Sequence, residues 1–402
     1  LCQRLPAPTQ PAPPALTHVD AQPNALVRGC GPTGALAALA LADAGWHVVL
    51  RDPGNRPQLL QRQRAYAFTH SSRVLLQSLG LWQNLQAHLV PFGSLQLADL
   101  GVSPEPIGFA LADLGAGAKA EAIGWIGLHT PLMQTLLEAL AAQAAVTLQL
   151  GPEANAAPEP RSVDLIVAAD GPGSPSRDAL GIGQWHWAYQ QHCLTAQVQM
   201  RGSGPDLAWE LFRPEGPLAL LPLGERLVQL VWSASPERCR RLEGLGPDAF
   251  LDQLAGALPD RFQPDALEVA PQSFAVGLAL ARRLHRGNTV LVGESAHRCH
   301  PVGGQGLNLC WRDVATLHRL AQRVHGGRLS ARALPRHYSA RRWPDLLLTL
   351  AATDLLVRLF SNRAPLLLPL RRGALQALAR LPLLRRASLT VMTHGPCRLL
   401  RR

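Results

Sequence analysis

The six residues Gly29-Cys30-Gly31-Pro32-Thr33-Gly34 decide the fold, because they form a GxGxxG turn between a predicted strand and a predicted helix. The strand is the run from Ala25 to Arg28, and the helix is the Ala- and Leu-rich stretch from Thr33 to Ala44. A second strand, from His47 to Arg51, ends at Asp52. A strand, turn, helix and strand within about thirty residues predict a βαβ unit.

Each glycine of this turn has its own physical task. Gly29 allows the tight turn, Gly31 lets the backbone approach a pyrophosphate, and Gly34 lets helix and strand pack closely. The amino end of the helix faces the phosphate charge, and Asp52 is placed to accept hydrogen bonds from ribose hydroxyls. The turn therefore predicts a dinucleotide site, and the alternative is a glycine-rich turn that binds no ligand.

The charge is unevenly distributed along the chain. The formal net charge is +11, yet Lys119 is the only lysine, and ten arginines run from Arg358 to Arg402 with no acidic residue after Asp354. A basic tail of this kind favours contact with a surface or a membrane over binding of nucleic acid. We expect the C-terminal helices to contact an anionic membrane surface through arginines that include Arg371, Arg372, Arg385 and Arg386. The alternative is a helical cap that packs on the FAD-binding domain and has a solvated basic face.

The cysteines and the first residues indicate the compartment. The seven cysteines contain no CxxC pair, so the sequence indicates neither a disulfide framework nor a zinc ribbon, and a reducing cytoplasm is expected. Residues 1–24 are proline-rich and lack the apolar segment of a signal peptide, so we predict a disordered leader. His297 and His300 lack a third ligand, and we predict no metal site.

The rest of the chain alternates between helical and strand-like patterns. Alternation of apolar and polar residues over 187–276 predicts an antiparallel sheet. Helices are predicted at Ser71 to Leu89, Thr130 to Ala145, Leu307 to Val324 and His337 to Arg402, the last interrupted by Pro344, Pro365, Pro369 and Pro382. Buried strands are predicted at Val163 to Ala169 and Thr289 to Val292.

Two further motifs indicate which dinucleotide binds. Asp170-Gly171-Pro172-Gly173-Ser174-Pro175-Ser176-Arg177 resembles the DGxxSxxR segment of class A flavin-dependent monooxygenases. Residues 293–313, GESAHRCHPVGGQGLNLCWRD, resemble their GDAAHxxxPxxGQGxNxxxxD segment. Arg64-Ala65-Tyr66-Ala67-Phe68, together with residues 210–223, 230–232 and 353–363, further resembles the ubiquinone-biosynthesis hydroxylases of this family, especially those that act on polyprenyl methoxyphenols. The resemblance covers residues 26–402.

The resemblance implies an α/β fold. A Rossmann-like FAD-binding domain of the glutathione-reductase type is expected, with an inserted, mainly antiparallel β-sheet substrate domain and C-terminal helices. The implied divisions are a leader at 1–24, an FAD-binding domain at 25–75, 125–185 and 277–335, a substrate domain at 76–124 and 186–276, and a C-terminal helical region at 336–402.

The resemblance also implies the chemistry. In that family NAD(P)H reduces FAD, O₂ adds to give a C4a-hydroperoxyflavin, and its distal oxygen is transferred to an electron-rich phenol ring. FAD and NAD(P)H are thus the implied cofactors, and a polyprenyl phenol and O₂ are the implied substrates. Peripheral contact with the inner membrane and membership of a ubiquinone-biosynthesis complex are expected as well.

The same resemblance assigns the site residues. A glycine-rich loop that leads into a helix supplies backbone N–H donors and a positive dipole end for charge on the flavin ring. The implied cofactor-binding residues are Gly29, Gly31, Gly34, Asp52, Arg64, Asp170, Gly171, Glu294, Gly303, Gly304, Gly306, Leu307 and Asn308. The catalytic candidates are His297, Pro301 and Gln305.

Some features leave alternatives open. Glu294 stands where the family usually has Asp, and Arg28 stands where it usually has a small or apolar residue. Asp170 and Arg177 could equally cap a helix, and Arg64 could equally be a solvated loop residue. The alternative functions are hydroxylation of a soluble phenol, or a non-catalytic flavin-fold accessory role in the ubiquinone complex.

Overall fold

The computed structural model describes residues 22–114, 120–158, 160, 162–362 and 364–401. The predicted leader lies outside the described residues, except for residues 22–24. The strands are β1 Asn24–Arg28, β2 His47–Asp52, β3 Ala65–Phe68, β4 Leu89–Phe92, β5 Ser94–Asp99, β6 Ser103–Ala110, β7 Gly124–Leu128, β8 Val146–Leu150, β9 Leu165–Ala168, β10 Gln184–Arg201, β11 Leu207–Phe212, β12 Leu218–Pro222, β13 Leu227–Ala234, β14 Gln263–Ala281, β15 His285–Arg286, β16 Thr289–Leu291 and β17 His297–Arg298. The helices are α1 Pro32–Asp43, α2 Arg56–Leu60, α3 His70–Ser78, α4 Trp82–Gln86, α5 His129–Ala142, α6 Glu153–Ala156, α7 Pro175–Ala179, α8 Pro236–Glu243, α9 Pro247–Ala255, α10 Gln305–His325, α11 Leu334–Phe360, α12 Leu368–Arg380 and α13 Pro382–His394.

The predicted βαβ unit lies at the centre of a six-stranded sheet with the order β15-β16-β9-β1-β2-β8. Its pairings are parallel except for that of β15 with β16. Residues 34–42 of α1 are all buried, because the helix packs between this sheet, α5 and α10. The strand, helix and strand predicted around the GxGxxG turn are thus confirmed.

An eight-stranded sheet, with the order β17-β14-β10-β13-β12-β11-β5-β6, forms a second layer. β10 pairs antiparallel with β13 and β14, which confirms the prediction from alternation, while β11 pairs parallel with β5. Side chains along a strand point to opposite faces. Trp209 and Leu211 pack in the core cluster that includes α8 and α9 residues, whereas Phe212 packs against Val302 in the loop before α10. The second face, which we call the inner face, therefore lies against that loop.

The single helix predicted from Ser71 to Leu89 is wrong. Helix α3 ends near Gly80, whose φ of +69° is left-handed and stops the helix, and α4 begins two residues later. Residues 89–92 then form β4, which pairs with β7 in a three-stranded sheet that also contains β3.

The C-terminal helices differ from the prediction at one proline. Pro369 and Pro382 lie in the first turns of α12 and α13, where a missing N–H does no harm. Pro344, however, lies inside α11 and does not interrupt it. Buried ion pairs of Asp345 with Arg342 (2.5 Å) and Arg312 (2.8 Å) hold the helix beside the proline. Among the described residues, no helix combines the length and the apolar character needed to span a bilayer.

Candidate active site

The turn between β1 and α1 leaves space at one glycine and none at the other two. Gly29 has a φ of +99°, and a Cβ there would lie 2.4 Å from the Ala169 carbonyl oxygen. A Cβ on Gly34 would lie 1.8 Å from the Gly29 carbonyl oxygen, whereas a Cβ on Gly31 would meet no atom within 4 Å. The fold therefore needs Gly29 and Gly34, and the space beside Gly31 is open to a ligand at the helix amino end.

Asp52, at the end of β2, lies beside this turn. Its Oδ2 accepts a hydrogen bond from the Cys30 N–H (2.6 Å), and its Oδ1 accepts one from the Gly54 N–H (2.7 Å). A carboxylate has about four acceptor sites, so acceptor capacity remains for hydroxyl donors. The backbone thus fixes the carboxylate in the position that a ribose partner requires.

The segment after β9 connects to the third motif. Asp170 accepts a hydrogen bond from the Ser176 N–H (2.9 Å), so its carboxylate shapes the turn before α7. The buried Arg177 donates from Nη1 to the Ser295 carbonyl oxygen (3.4 Å). Gly171 has a φ of +86°, and a Cβ there would meet no atom within 4 Å. The side chains of this motif therefore build the turn, and its backbone at Gly171 is open to approach.

The two departures from the family pattern have structural accounts. Arg28 donates from Nη1 to the Ser176 hydroxyl (3.5 Å), which links β1 to α7. Glu294 is half-buried, and within the described part of the chain its carboxylate accepts no hydrogen bond. Burial raises the pKa of the Cys310 thiol, and the negative charge of Glu294 raises it further. The Glu294 carboxylate therefore lies close to the buried Cys310. Hydroxyl groups of a bound cofactor would give Glu294 the donors it lacks.

The loop before α10 has an unusual backbone. Gly303 and Gly304 have successive φ values of +66° and +63°, and Cβ atoms on Gly303 or Gly306 would meet nothing within 4 Å. The first N–H groups of a helix have no intrahelical partner, so those of residues 305–307, including the Leu307 N–H, are available there together with the positive dipole end. This open backbone fits the negatively charged edge of a flavin ring.

Asn308 holds the loop in place. Its Oδ1 accepts hydrogen bonds from the Thr69 N–H (3.0 Å) and the Ser72 hydroxyl (2.6 Å). Its Nδ2 donates to the carbonyl oxygens of Ala67 (2.7 Å) and Gly304 (2.8 Å). The side chain is fully used in tying the loop to the connection between β3 and α3.

His297 belongs to a buried charge network. Its Nε2 lies 2.7 Å from Asp313 Oδ2, which also accepts from the Gly293 N–H (2.8 Å), while Asp313 Oδ1 accepts from Arg342 Nε (2.5 Å). Burial alone would raise the pKa of Asp313, but His297 and Arg342 outweigh it and hold that pKa below its usual range. The network joins the Gly293 turn and α10 to α11.

Pro301 and Gln305 define the two ends of the glycine loop. The Pro301 carbonyl accepts a hydrogen bond from the Gly304 N–H (2.9 Å) and so closes the turn. Gln305 donates from Nε2 to the Gly303 carbonyl (3.2 Å) and to the Met392 carbonyl of α13 (3.0 Å). The C-terminal helices therefore contact the loop directly.

Tyr66 lies on β3, and Arg64 is the residue before that strand. Arg64 is half-buried, and its guanidinium carbon lies 4.7 Å from the centre of the Phe274 ring on β14. The Tyr66 hydroxyl lies 3.0 Å from His129 Nδ1, and burial raises the pKa of Tyr66 to about 12. Arg64 thus lies between the first layer and the eight-stranded sheet.

Two buried ionisable residues near the loop were given no catalytic role from the sequence. Glu210 on β11 accepts a hydrogen bond from the Gly303 N–H (3.4 Å), and burial raises its pKa to about 7. His300 accepts at Nδ1 from the Val302 N–H (3.2 Å), and burial lowers its pKa to about 4. An acid inside the apolar strand Trp209-Glu210-Leu211-Phe212 was the available signal for Glu210.

Comparisons with known proteins agree with this geometry. The family described as FAD binding domain matches residues 143–345. The chain is 30% identical to 3-demethoxyubiquinol 3-hydroxylase of Escherichia coli, over 90% of this chain and 96% of the relative. It is 34% identical to a ubiquinone hydroxylase of Rhodospirillum rubrum, over 90% of this chain and 87% of the relative. The solved structure of p-nitrophenol 4-monooxygenase from Pseudomonas putida has a similar fold, with a TM-score of 0.74 at 20% identity over 93% of this chain and 98% of that chain.

A dinucleotide turn, a glycine loop at a helix amino end and an eight-stranded sheet against that loop form the architecture of FAD-dependent monooxygenases. The chain belongs to the FAD binding domain family of these enzymes.

Proposed function

We propose that the protein hydroxylates the aromatic ring of a polyprenyl phenol in ubiquinone biosynthesis, with NAD(P)H as electron donor and O₂ as the oxygen source. The observation that carries this proposal is the glycine loop at 303–304, which lies against the buried inner face of the eight-stranded sheet. The loop would serve the flavin and the inner face would serve the substrate. The names of the two hydroxylase relatives support the substrate class.

The chain offers groups for each part of FAD. The open backbone at Gly31 and the amino end of α1 would hold the pyrophosphate, and Asp52 would hold the adenosine ribose. Glu294 would accept hydrogen bonds from the ribityl hydroxyls, and the N–H groups of residues 303–307 would stabilise negative charge on the ring. When bound, FAD supplies the transfer of electrons from NAD(P)H to O₂ and of one oxygen atom to the substrate.

We further propose that the catalytic candidates act by positioning. His297 is directed at Asp313, and Gln305 is directed at the Gly303 and Met392 carbonyls. Pro301 closes the turn with its carbonyl. Each would keep the loop in the shape that receives the flavin ring.

The division of labour along the chain is also part of the proposal. Residues 25–75, 125–185 and 277–335 would bind FAD, and residues 76–124 and 186–276 would shape the substrate site. Residues 336–402 would cover the loop and approach the membrane.

An apolar and basic area on α11 to α13, which we call the C-terminal surface, supports contact with the cytoplasmic side of the inner membrane. Leu366 and Leu383 are 91% and 79% exposed. No acidic residue follows Asp354 in the sequence, and Arg372, Arg380 and Arg386 form no ion pair within the part of the chain that the structure describes. The exposed leucines are Leu347, Leu348, Leu355, Leu356, Leu366, Leu370, Leu381, Leu383 and Leu384, and exposed arginines of α12 and α13 are Arg372, Arg380 and Arg386. Leucine for the lipid interior and arginine for anionic headgroups suit a peripheral contact and a substrate with a polyprenyl chain.

The expectation of membrane contact is wrong for two of the four named arginines. Arg371 is 1% exposed, and it donates from Nε and Nη2 to both oxygens of Asp99 (2.8 and 2.5 Å). Arg385 is half-buried and donates to Asp113 (3.2 Å). Both arginines dock the C-terminal helices on the substrate domain, because acidic residues there neutralise them.

Vesicle binding tests the membrane contact. Replacing Arg372, Arg380 and Arg386 by Gln should weaken binding to phosphatidylglycerol vesicles about 10²-fold, since each arginine near an anionic surface contributes about 1 kcal/mol. The matched control replaces Arg240, Arg241 and Arg261, which are exposed on another part of the protein. If wild-type protein does not bind these vesicles at low salt, the C-terminal surface has no role in lipid binding, and the enzymatic proposal stands.

Isotope transfer tests the reaction. Purified protein with FAD, NADH or NADPH and ¹⁸O₂ should place one ¹⁸O on the ring of a methoxyphenol that carries a short prenyl chain. Preference for an unprenylated phenol would favour the soluble-substrate alternative, and a chain that binds no flavin would favour the accessory role. If a strain without the gene accumulates a quinone precursor that lacks a ring hydroxyl group, the reaction belongs to ubiquinone biosynthesis.

A further inference from the structure

Glu210 is the one acidic residue in the four strands β10 to β13 of the eight-stranded sheet. Its neighbours Trp209 and Leu211 point into the core on the side of α8 and α9. By strand alternation the Glu210 side chain points to the inner face, as Ala208 and Phe212 do. Its carboxylate is therefore placed between the sheet and the glycine loop.

The contacts of Glu210 leave one oxygen free. Oε2 accepts the hydrogen bond from the Gly303 N–H (3.4 Å). Oε1 has no hydrogen-bond partner among the described residues, and it is not one of the fully enclosed polar atoms. Beside Gly303, the direction in which a Cβ would point holds no atom within 4 Å. The Glu210 carboxylate and this open space thus both lie beside Gly303.

The surroundings favour a proton on this carboxyl. Burial raises the pKa of Glu210 to about 7, and the Gly303 N–H opposes that effect only in part. Burial raises the pKa of Cys193 on β10, which interacts with Glu210, to about 12, so that thiol is neutral at pH 7. Burial lowers the pKa of His300, near the glycine loop, to about 4, so the imidazole is neutral as well. Asp99 on β5 is paired with Arg371. No cation neutralises Glu210 within the described surroundings, so the carboxyl exchanges its proton near neutral pH.

Anchoring the loop does not require a carboxyl group. A glutamine at this position would accept the Gly303 N–H with its amide oxygen and would avoid the cost of burying an ionisable group. A structural role alone therefore leaves the choice of glutamate unexplained.

We propose that Glu210 is a catalytic residue that takes the proton from the hydroxyl group of the substrate phenol and later returns it; this inference rests on the proposed function. The phenolic O–H bond breaks, an O–H bond forms on the carboxylate, and the electron pair stays on the phenolate oxygen. With FAD bound, the electron-rich phenolate ring would accept one oxygen atom of O₂ from the chemistry that the cofactor supplies, while the O–O bond breaks and the other oxygen atom leaves as water. The hydroxylated ring carbon then loses its proton to water, which restores the aromatic ring. Glu210 returns its proton to the oxygen of the original phenol group.

Proton counting provides a test that does not depend on turnover. 4-Nitrophenol is added to flavin-loaded protein at a pH one to two units above the pKa of Glu210. A pH-indicator dye measures proton uptake, and the visible absorption band of nitrophenolate measures the ionisation of the ligand. A nitrophenolate ion beside Glu210 would raise the pKa of the carboxyl further. Wild-type protein should therefore take up close to one proton from solution for each ligand that binds. Any proton that binds to the nitrophenolate itself is counted separately. Glu210→Gln should take up none.

Single-turnover hydroxylation of a short prenylated methoxyphenol supplies the second measurement. The rate for wild-type protein should rise with pH through about 7. Glu210→Gln should be about 10²- to 10⁴-fold slower and lack that rise, while retaining flavin. Glu210→Asp, which keeps a carboxyl, should recover part of both signals. The matched control is Glu215→Gln, which changes a carboxyl that pairs with Arg213 (2.7 Å), and it should behave as wild type.

The outcomes separate the two proposals. If Glu210→Gln shows the same proton uptake and the same rate as wild-type protein, the role of Glu210 is overturned and the hydroxylase function stays intact. Wild-type protein that binds no flavin or hydroxylates no phenol would overturn the proposed function, and the role of Glu210 with it. If Glu210→Gln fails to fold, a wild-type pH profile in Glu210→Asp together with no proton uptake in wild type would overturn the inference.

Discussion

Replacing Gly31 by valine should abolish FAD binding and leave the fold intact. Gly31 has an extended backbone, with φ −69° and ψ 179°, which a β-branched residue adopts readily. A Cβ at this position would meet no protein atom within 4 Å. The valine side chain would instead occupy the space through which the pyrophosphate approaches the amino end of α1.

The two effects differ greatly in size. The free energy of unfolding of the flavin-free protein should change by less than about 0.5 kcal/mol, as for a substitution that touches nothing. Loss of two charge-assisted hydrogen bonds between backbone N–H groups and the pyrophosphate removes about 3–6 kcal/mol of binding free energy. The Kd for FAD should therefore rise by about 10²- to 10⁴-fold.

Flavin content after gel filtration and the quenching of FAD fluorescence on reconstitution measure the binding, and thermal unfolding of the flavin-free protein measures the fold. Gly34→Ala is the contrasting variant, because its Cβ would lie 1.8 Å from the Gly29 carbonyl oxygen and must displace backbone. It should lower the Tm of the flavin-free protein, whereas Gly31→Val should not. Full flavin content in Gly31→Val would refute the pyrophosphate assignment.

Three further predictions concern the cofactor and two buried groups. FAD should be held non-covalently, so heat-denatured protein should release its flavin to the supernatant, and flavin that stays with the precipitate would contradict this. Arg371→Gln should cost about 3–5 kcal/mol of unfolding free energy, because it leaves Asp99 charged and buried, while the exposed Arg372→Gln should have little effect in the same urea titration. Burial lowers the pKa of His300 from 6.5 to about 4, so the unfolded chain takes up a proton first as the pH falls, and about 3 kcal/mol of stability should be lost between those values. His300→Asn, whose amide oxygen can replace Nδ1 as acceptor, should flatten that part of the stability profile, and an unchanged slope would argue against a buried neutral imidazole.

The sequence was sufficient to predict the turn at 29–34 because its constraints are local. Gly29, Gly31 and Gly34 lie within six residues, and the fold leaves no room for a side chain at Gly29 or Gly34 but has open space at Gly31. The loop at 303–304 is equally local, since two successive left-handed residues require glycine.

The helix boundaries could not be predicted in the same way. Gly80 ends α3, as the local preference of glycine favours, but Pro344 fails to end α11, against the local preference of proline. At Pro344 the missing hydrogen bond is outweighed by ion pairs of Asp345 with residues on α10 and α11. Tertiary contacts decided the boundary there, and no window of neighbouring residues contains them.

The charged residues show the same limit with a functional consequence. Arg371 and its partner Asp99 are 272 residues apart, so composition counted Arg371 with the surface arginines although it is fully buried. Glu210 is the opposite case, because the surrounding apolar strand predicts burial, but only the fold shows that no cation among the described residues pairs with it. A buried acid with a partner stabilises structure, and a buried acid without one holds a proton that can be exchanged. The pairing of a charge across the fold, more than its presence in the sequence, therefore decides which ionisable residues of this chain serve stability and which serve chemistry.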